Sequence, residues 1–152
     1  MPQTTAACSN ACSAVFISTD GVNFTDISGS TQSVAGTEQS KMSGEAYTFD
    51  GRGPIIKGGK FEALDLNFTI VYTEENDEAY EVARSVFEQE GCEVEIWVRW
   101  VPCFGGAGIS QLTAFGPMTG FTYPAIDAST ANPIMGGFTV RTGEITTETI
   151  VS

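Results

Sequence analysis

Histidine is absent from the 152 residues. That one gap removes Ser-His and Cys-His nucleophile pairs, imidazole acid–base chemistry and every histidine-containing metal site. Positive charge is scarce: 7 Lys and Arg stand against 19 Asp and Glu, a formal net charge of −12. Nonspecific binding to nucleic-acid phosphates or to anionic lipid is therefore not expected. Long hydrophobic runs are missing too, since charge or glycine soon interrupts each apolar stretch, and none approaches the length of a membrane span. Met1–Ala7 carries neither a basic n-region nor an apolar h-region, which leads us to expect a soluble protein without membrane anchoring, with Cys8, Cys12, Cys92 and Cys103 reduced.

What is present favours strands. Hydrophobic residues make up 41% and charged residues only 17%, and Gly, Thr, Ser and Pro are plentiful, a mixture suited to short strands and turns. The length fits one domain able to bury roughly two thirds of its unfolded surface. Residues 1–12 read as a flexible arm and 13–152 as a single β domain.

Along the chain, Ala14–Ser18 reads as a strand and Asp20-Gly21 as the turn of a hairpin leading into 22–27. Residues 29–43 read as an extended loop or an arm that orders against a neighbour. A strand is expected at Glu45–Phe49, then breaks at Asp50–Pro54 and at Lys57-Gly58-Gly59-Lys60. Leu64, Leu66, Phe68, Ile70 and Tyr72 alternate with Asp65, Asn67, Thr69 and Val71, a strand with one core face. Ala79, Tyr80, Ala83, Val86 and Phe87 recur at helical spacing, with Asn76 or Asp77 as cap and Gly91 as terminator. Val94, Ile96, Val98 and Trp100 form one face of a further strand; Glu93, Glu95, Trp97 and Arg99 form the other. Additional strands are expected at 109–115, 121–123, 138–141 and 145–151. The fold class is mainly β: a β-sandwich or partial barrel of about eight strands with one flanking α-helix.

Chemistry-bearing patterns are few. A four-thiolate zinc site does not fit the spacing of Cys92 and Cys103, although a disulfide across the ends of that strand remains open. Carboxylate pairs such as Glu93 with Glu95 are too common here to indicate a glycosidase. The run Glu74–Glu78 lacks the ligand spacing of a calcium loop and suits a helix start. No cofactor or metal is expected and no enzyme activity is indicated. Charge is segregated: nine acidic residues and only Arg84 lie between Glu74 and Glu95, whereas Lys41, Arg52, Lys57 and Lys60 lie close together. Head-to-tail contact between identical copies would use such a pattern. Lys41, Arg52, Lys57, Lys60, Glu88, Glu90 and Trp97 are accordingly the candidate inter-subunit residues.

Three stretches, Asp20–Gly29, Tyr47–Lys60 and Gly120–Ala128 running on to Phe138–Thr142, resemble the tail tube protein of long-tailed, siphovirus-type bacteriophage. The resemblance implies a structural virion subunit forming hexameric rings that stack into a tube. The strands of six copies close one barrel around a channel for DNA ejection. About four strands per copy, about 24 in all, give a barrel roughly 45–50 Å across. It also implies location in the phage tail after assembly in the host cytoplasm. The implied partners are other copies of the chain, the tape measure and terminator proteins, and double-stranded DNA that passes without specific binding. Candidate channel-facing residues are Asp65, Asn67 and Thr69, or Glu93, Glu95 and Arg99. The alternatives are the tube protein of a contractile injection machine and, from another class, a carbohydrate-binding β-sandwich using Trp97, Trp100 and Tyr123. Against the latter, Trp97 and Trp100 occupy opposite faces of one strand.

Overall fold

In the computed structural model, which describes residues 2–4, 7–90, 94–103 and 110–149, the alternating segments form strands and the one segment of helical period forms a helix. The strands are β1 (Ala14–Ser18), β2 (Thr25–Asp26), β3 (Thr31–Ala35), β4 (Lys41–Ala46), β5 (Ile55–Phe61) and β6 (Leu64–Val71). The helix α1 (Ala79–Phe87) follows, then β7 (Glu95–Val101), β8 (Ser110–Thr122), β9 (Met135–Thr142) and β10 (Ile145–Thr149). Among the described residues there are thus ten strands, against about eight expected from pattern.

β8 belongs to both sheets. Its residues Leu112–Pro117 pair with β7, and Met118–Thr122 pair with β9. One sheet runs β2-β1-β7-β8 with β10 beside the start of β8; the other runs β8-β9-β6-β3, and every pairing is antiparallel. Two separate strands were expected here, on either side of Gly116-Pro117. They fuse because Pro117 sits at the last β7 pairing, where a missing N–H interrupts no continuous ladder. Gly116 is needed at this change of partner, because a Cβ there would collide with the Arg141 carbonyl oxygen.

β3–β4 and β5–β6 form one long hairpin. Val34 lies opposite Phe68, Lys41 opposite Phe61 and Glu45 opposite Ile56, and the Glu62 N–H donates to the Ser40 carbonyl between the two ladders. Its base belongs to the β6 sheet. Its outer part, β4–β5, is exposed along both strands. This overturns three expectations: 29–43 is not a loop but contains β3, the strand placed at Glu45–Phe49 lies at Lys41–Ala46, and the expected break at Lys57–Lys60 lies within β5. A ribbon without a core on either face imposes no alternation, so pattern carries no signal there. Gly36, at φ +74°, makes the bend between base and outer part, where any side chain would strike the Asp65 carbonyl.

The core lies between the sheets. Leu66, Phe68 and Ile70 of β6 meet Ile96 and Val98 of β7, Val140 of β9, and Tyr80 and Ala83 of α1 in one buried cluster. Phe68 stacks on Phe138 with ring centroids 4.6 Å apart. The amphipathic face of α1 closes the sandwich, with Tyr80 and Phe87 against Phe121. Neither Asn76 nor Asp77 caps the helix. Glu78 holds that position without a side-chain bond, and the Ala79 N–H donates instead to Ser30 Oγ at 3.4 Å. Gly91, the expected terminator, lies outside the described residues.

The thiol expectation also changes. Antiparallel pairing of Ala14 with Val101 brings the chain before β1 alongside the chain after β7; Ser13 Oγ donates to the Pro102 carbonyl at 2.9 Å, and Cys8 and Cys103 form a disulfide with a Cα–Cα distance of 5.8 Å. Cys12 is free and exposed, and Cys92 lies outside the described residues.

Gly116→Ala is expected to lower stability by about 1–3 kcal/mol in chemical denaturation. Gly44→Ala, on the open hairpin with nothing near its Cβ position, should stay within about 0.5 kcal/mol of the parent. Equal effects at the two sites would contradict the placement of the β8 crossing.

Candidate functional site

The two sets of candidate channel-facing residues lie on different sheets. Leu64, Leu66, Phe68 and Ile70 point into the core, so Asp65, Asn67 and Thr69 point out of the β6 sheet. Asp65 accepts two hydrogen bonds from Arg141 Nη1, at 3.0 and 3.1 Å. Asn67 Oδ1 accepts from Thr139 Oγ1 at 2.9 Å. Glu95, Trp97 and Arg99 point out of the β7 sheet, because Ile96, Val98 and Trp100 point in. Glu93 lies outside the described residues. No one surface contains both sets.

The outer face of the β7 sheet is aromatic and partly covered. Trp97 packs on Phe115 with centroids 4.3 Å apart, and the Arg99 guanidinium lies 3.8 Å from the centre of the Phe24 ring. The covering segment is the loop between β1 and β2. It is wider than the two-residue turn expected at Asp20-Gly21, because the Asp20 carboxylate organises it. Asp20 Oδ1 accepts from the N–H groups of Val22 and Asn23 and from Ser18 Oγ, each at 2.8 Å. These bonds, led by the Asn23 and Val22 N–H groups, hold the Asp20 carboxyl well below the ordinary carboxylate range. Gly21, at φ +79°, rests against the Trp97 indole, where a Cβ would stand 2.8 Å from the ring.

Lys41, Arg52, Lys57 and Lys60 all fall on the outer hairpin or its turn, so four of the seven cations gather on one projection. Glu88 follows the last turn of α1, and Glu90 continues the acidic segment around that helix. Arg84 donates to Glu81 and Glu88, and Tyr123 Oη donates to Glu88 Oε1 at 3.1 Å. Burial first, and then this bond to the carboxylate, push the Tyr123 phenol upward. Sequence reasoning missed the apolar half of the hairpin. Met42, Tyr47, Phe49, Ile55, Ile56 and Phe61 are all exposed there, Phe49 completely. Their signal was the apolar pair Ile55-Ile56 in a segment too rich in glycine to bury it. Trp100 is buried in the core while Trp97 faces out, so the two indoles make no stacking platform. Among the described residues, no helix is long and apolar enough to cross a membrane.

No protein-family model and no curated protein sequence matches the chain. Solved structures do. The chain superposes on a component of the sheath-tube complex of an extracellular contractile injection system, PVC, in its extended state, with TM-score 0.74, 11% identity and coverage of 96% of this chain and 94% of that one. A chain of the anti-feeding prophage baseplate, six-fold symmetrised, gives TM-score 0.73 at 11% identity over 96% and 97%. A chain from the tail of an empty GTA particle, refined with C6 symmetry, gives 0.62 at 12% identity over 95% and 100%. These likenesses extend over nearly the whole chain and establish a common fold.

Because the folded-state carboxyl of Asp20 is depressed, its contribution to loop closure is complete above the ordinary carboxylate pKa of about 3.9 and is lost only as pH falls further, through the lower value. Trp97 emission should therefore hold steady on acidification from neutrality to about pH 4. Asp20→Ala should red-shift it at neutral pH. Unchanged emission in the variant would mean that the carboxylate does not hold the loop on the indole.

Proposed function

We propose that this chain is the repeating structural subunit of a hollow tail tube, a polymer of stacked hexameric rings. The observation that carries the reading is the β4–β5 hairpin, which extends about 20 Å with apolar side chains exposed and four cations along it. An isolated chain gains nothing from holding such a ribbon in water. A second copy can cover it, and the acidic surface around α1 supplies opposite charge. Open strand edges support the same conclusion: among the described residues, β3 pairs only with β6 and β10 only with β8. Such edges are normally paired or covered.

Likeness to a chain of the sheath-tube complex of an extracellular contractile injection system supports the tube of a contractile injection machine, and likeness to the GTA tail chain supports a phage-like tail. Likeness to chains of a sheath/tube terminator and of a tube-terminating cap supports a terminator as partner at the tube's end. In this reading the channel holds a tape measure protein and then passes double-stranded DNA or other cargo. The particle assembles in the host cytoplasm and acts as part of a phage tail or a tail-like device.

Concentrated purified protein should form hollow tubes in negative-stain micrographs. Lys57→Glu combined with Lys60→Glu should reduce these to rings or free subunits with an unchanged far-UV circular dichroism spectrum. Tubes of parental length from the double variant would remove the hairpin's charge from the contact. A chain that stays monomeric in all conditions and binds a polysaccharide column would favour the carbohydrate-binding alternative.

A further inference from the structure

We infer that the outer face of the β6 sheet is the channel wall and that Asp65 acts there as a positioning residue, holding Arg141 so that the wall does not grip a passing polyanion. The inference rests on the tube reading. Two outer faces are available to a channel. The face of the β7 sheet carries Trp97 and the exposed Phe115 and is overlaid by the β1–β2 loop, whose Phe24 caps Arg99. Aromatic surface of that kind is stabilised by contact with another copy, not by a column of water.

The face of the β6 sheet has the opposite character. Ser33, Asn67, Thr69 and Thr139 project from it, short and polar, and glycine stands at position 137. Short side chains keep a bore wide. Among the described residues both lateral edges of this four-stranded sheet are open: β3 pairs only with β6, and the Met118–Thr122 part of β8 pairs only with β9. The strands alternate in direction from β8 to β3, so β3 of one copy beside β8 of the next continues an antiparallel sheet around a ring.

On the strands of this face the charges are Asp65 and Arg141, about half exposed and bonded to each other. A guanidinium free on the wall would bind each arriving phosphate and release counterions, a term that grows with every ring passed. Paired with Asp65, it leaves the wall near neutral. Removing the carboxylate while keeping the side chain's shape converts each ring into a ring of free cations.

The test uses assembled tubes and a short fluorescent DNA duplex, with retention read by co-sedimentation. Parental tubes should retain little duplex. Asp65→Asn tubes should retain at least tenfold more, in a manner abolished by added salt, and Asp65→Asn with Arg141→Gln should return to the parental level. Retention by Asp65→Asn equal to the parent overturns the role given to Asp65. Independently, Asn67→Cys should react in assembled tubes with a small maleimide but not with one carrying a bulky polymer, measured against the same chain without the added cysteine. Equal reaction with both reagents in intact tubes overturns the wall assignment alone. Failure of the parent to form any tube overturns the tube reading and this inference together.

Discussion

The structure depends on one strand serving two partners. β8 leaves β7 at Pro117 and joins β9 at Met118, and that change converts what would be a single twisted sheet into two layers facing one core. The crossing works only because the Arg141 carbonyl approaches Gly116 more closely than any side chain allows. β9 and β10 then run beside β8 as one long strand interrupted near Gly143: Phe138 opposes Phe121 and Ile145 opposes Ala114. Each layer thus inherits its position from the same short segment, and α1 with Tyr80 and Phe87 fills the opening that remains.

Burial decided what was legible beforehand. β6, β7 and α1 were readable residue by residue, because each buries one face and so must repeat apolar side chains at its own period. The hairpin β4–β5 was not readable, since it buries neither face within the chain; glycines 58 and 59, read as a break, sit in a strand that has no packing to lose. The cap of α1 was misplaced for a different reason. Its donor is satisfied by Ser30, which is 49 residues away in sequence, and no local pattern contains that fact. As for the candidate surface residues, alternation showed that Asp65, Asn67 and Thr69 share a face and that Glu95, Trp97 and Arg99 share another. Only the layered fold separates those faces. The four hairpin cations are legible as a cluster in the sequence, but the apolar side chains beside them, Tyr47 and Phe49 in an expected strand and Ile55-Ile56 between two expected breaks, carry no pattern that marks them as exposed.

Charge and shape are arranged with the same economy. The densest run of acidic residues surrounds α1, on the body of the sandwich, and four of the seven cations project away on a ribbon. In the tube proposed above, separation of this kind would let the cationic ribbon of one copy meet the acidic surface of the next, a head-to-tail contact that would give the polymer a direction.

The disulfide between Cys8 and Cys103 alters how the subunit carries mechanical load. Tension applied to the first seven residues passes through a covalent bond straight to the end of β7, a strand flanked by β1 and β8. β1, which would otherwise be first to peel from its neighbour, lies off that path, so unzipping cannot begin at the amino-terminal edge while the bond is closed.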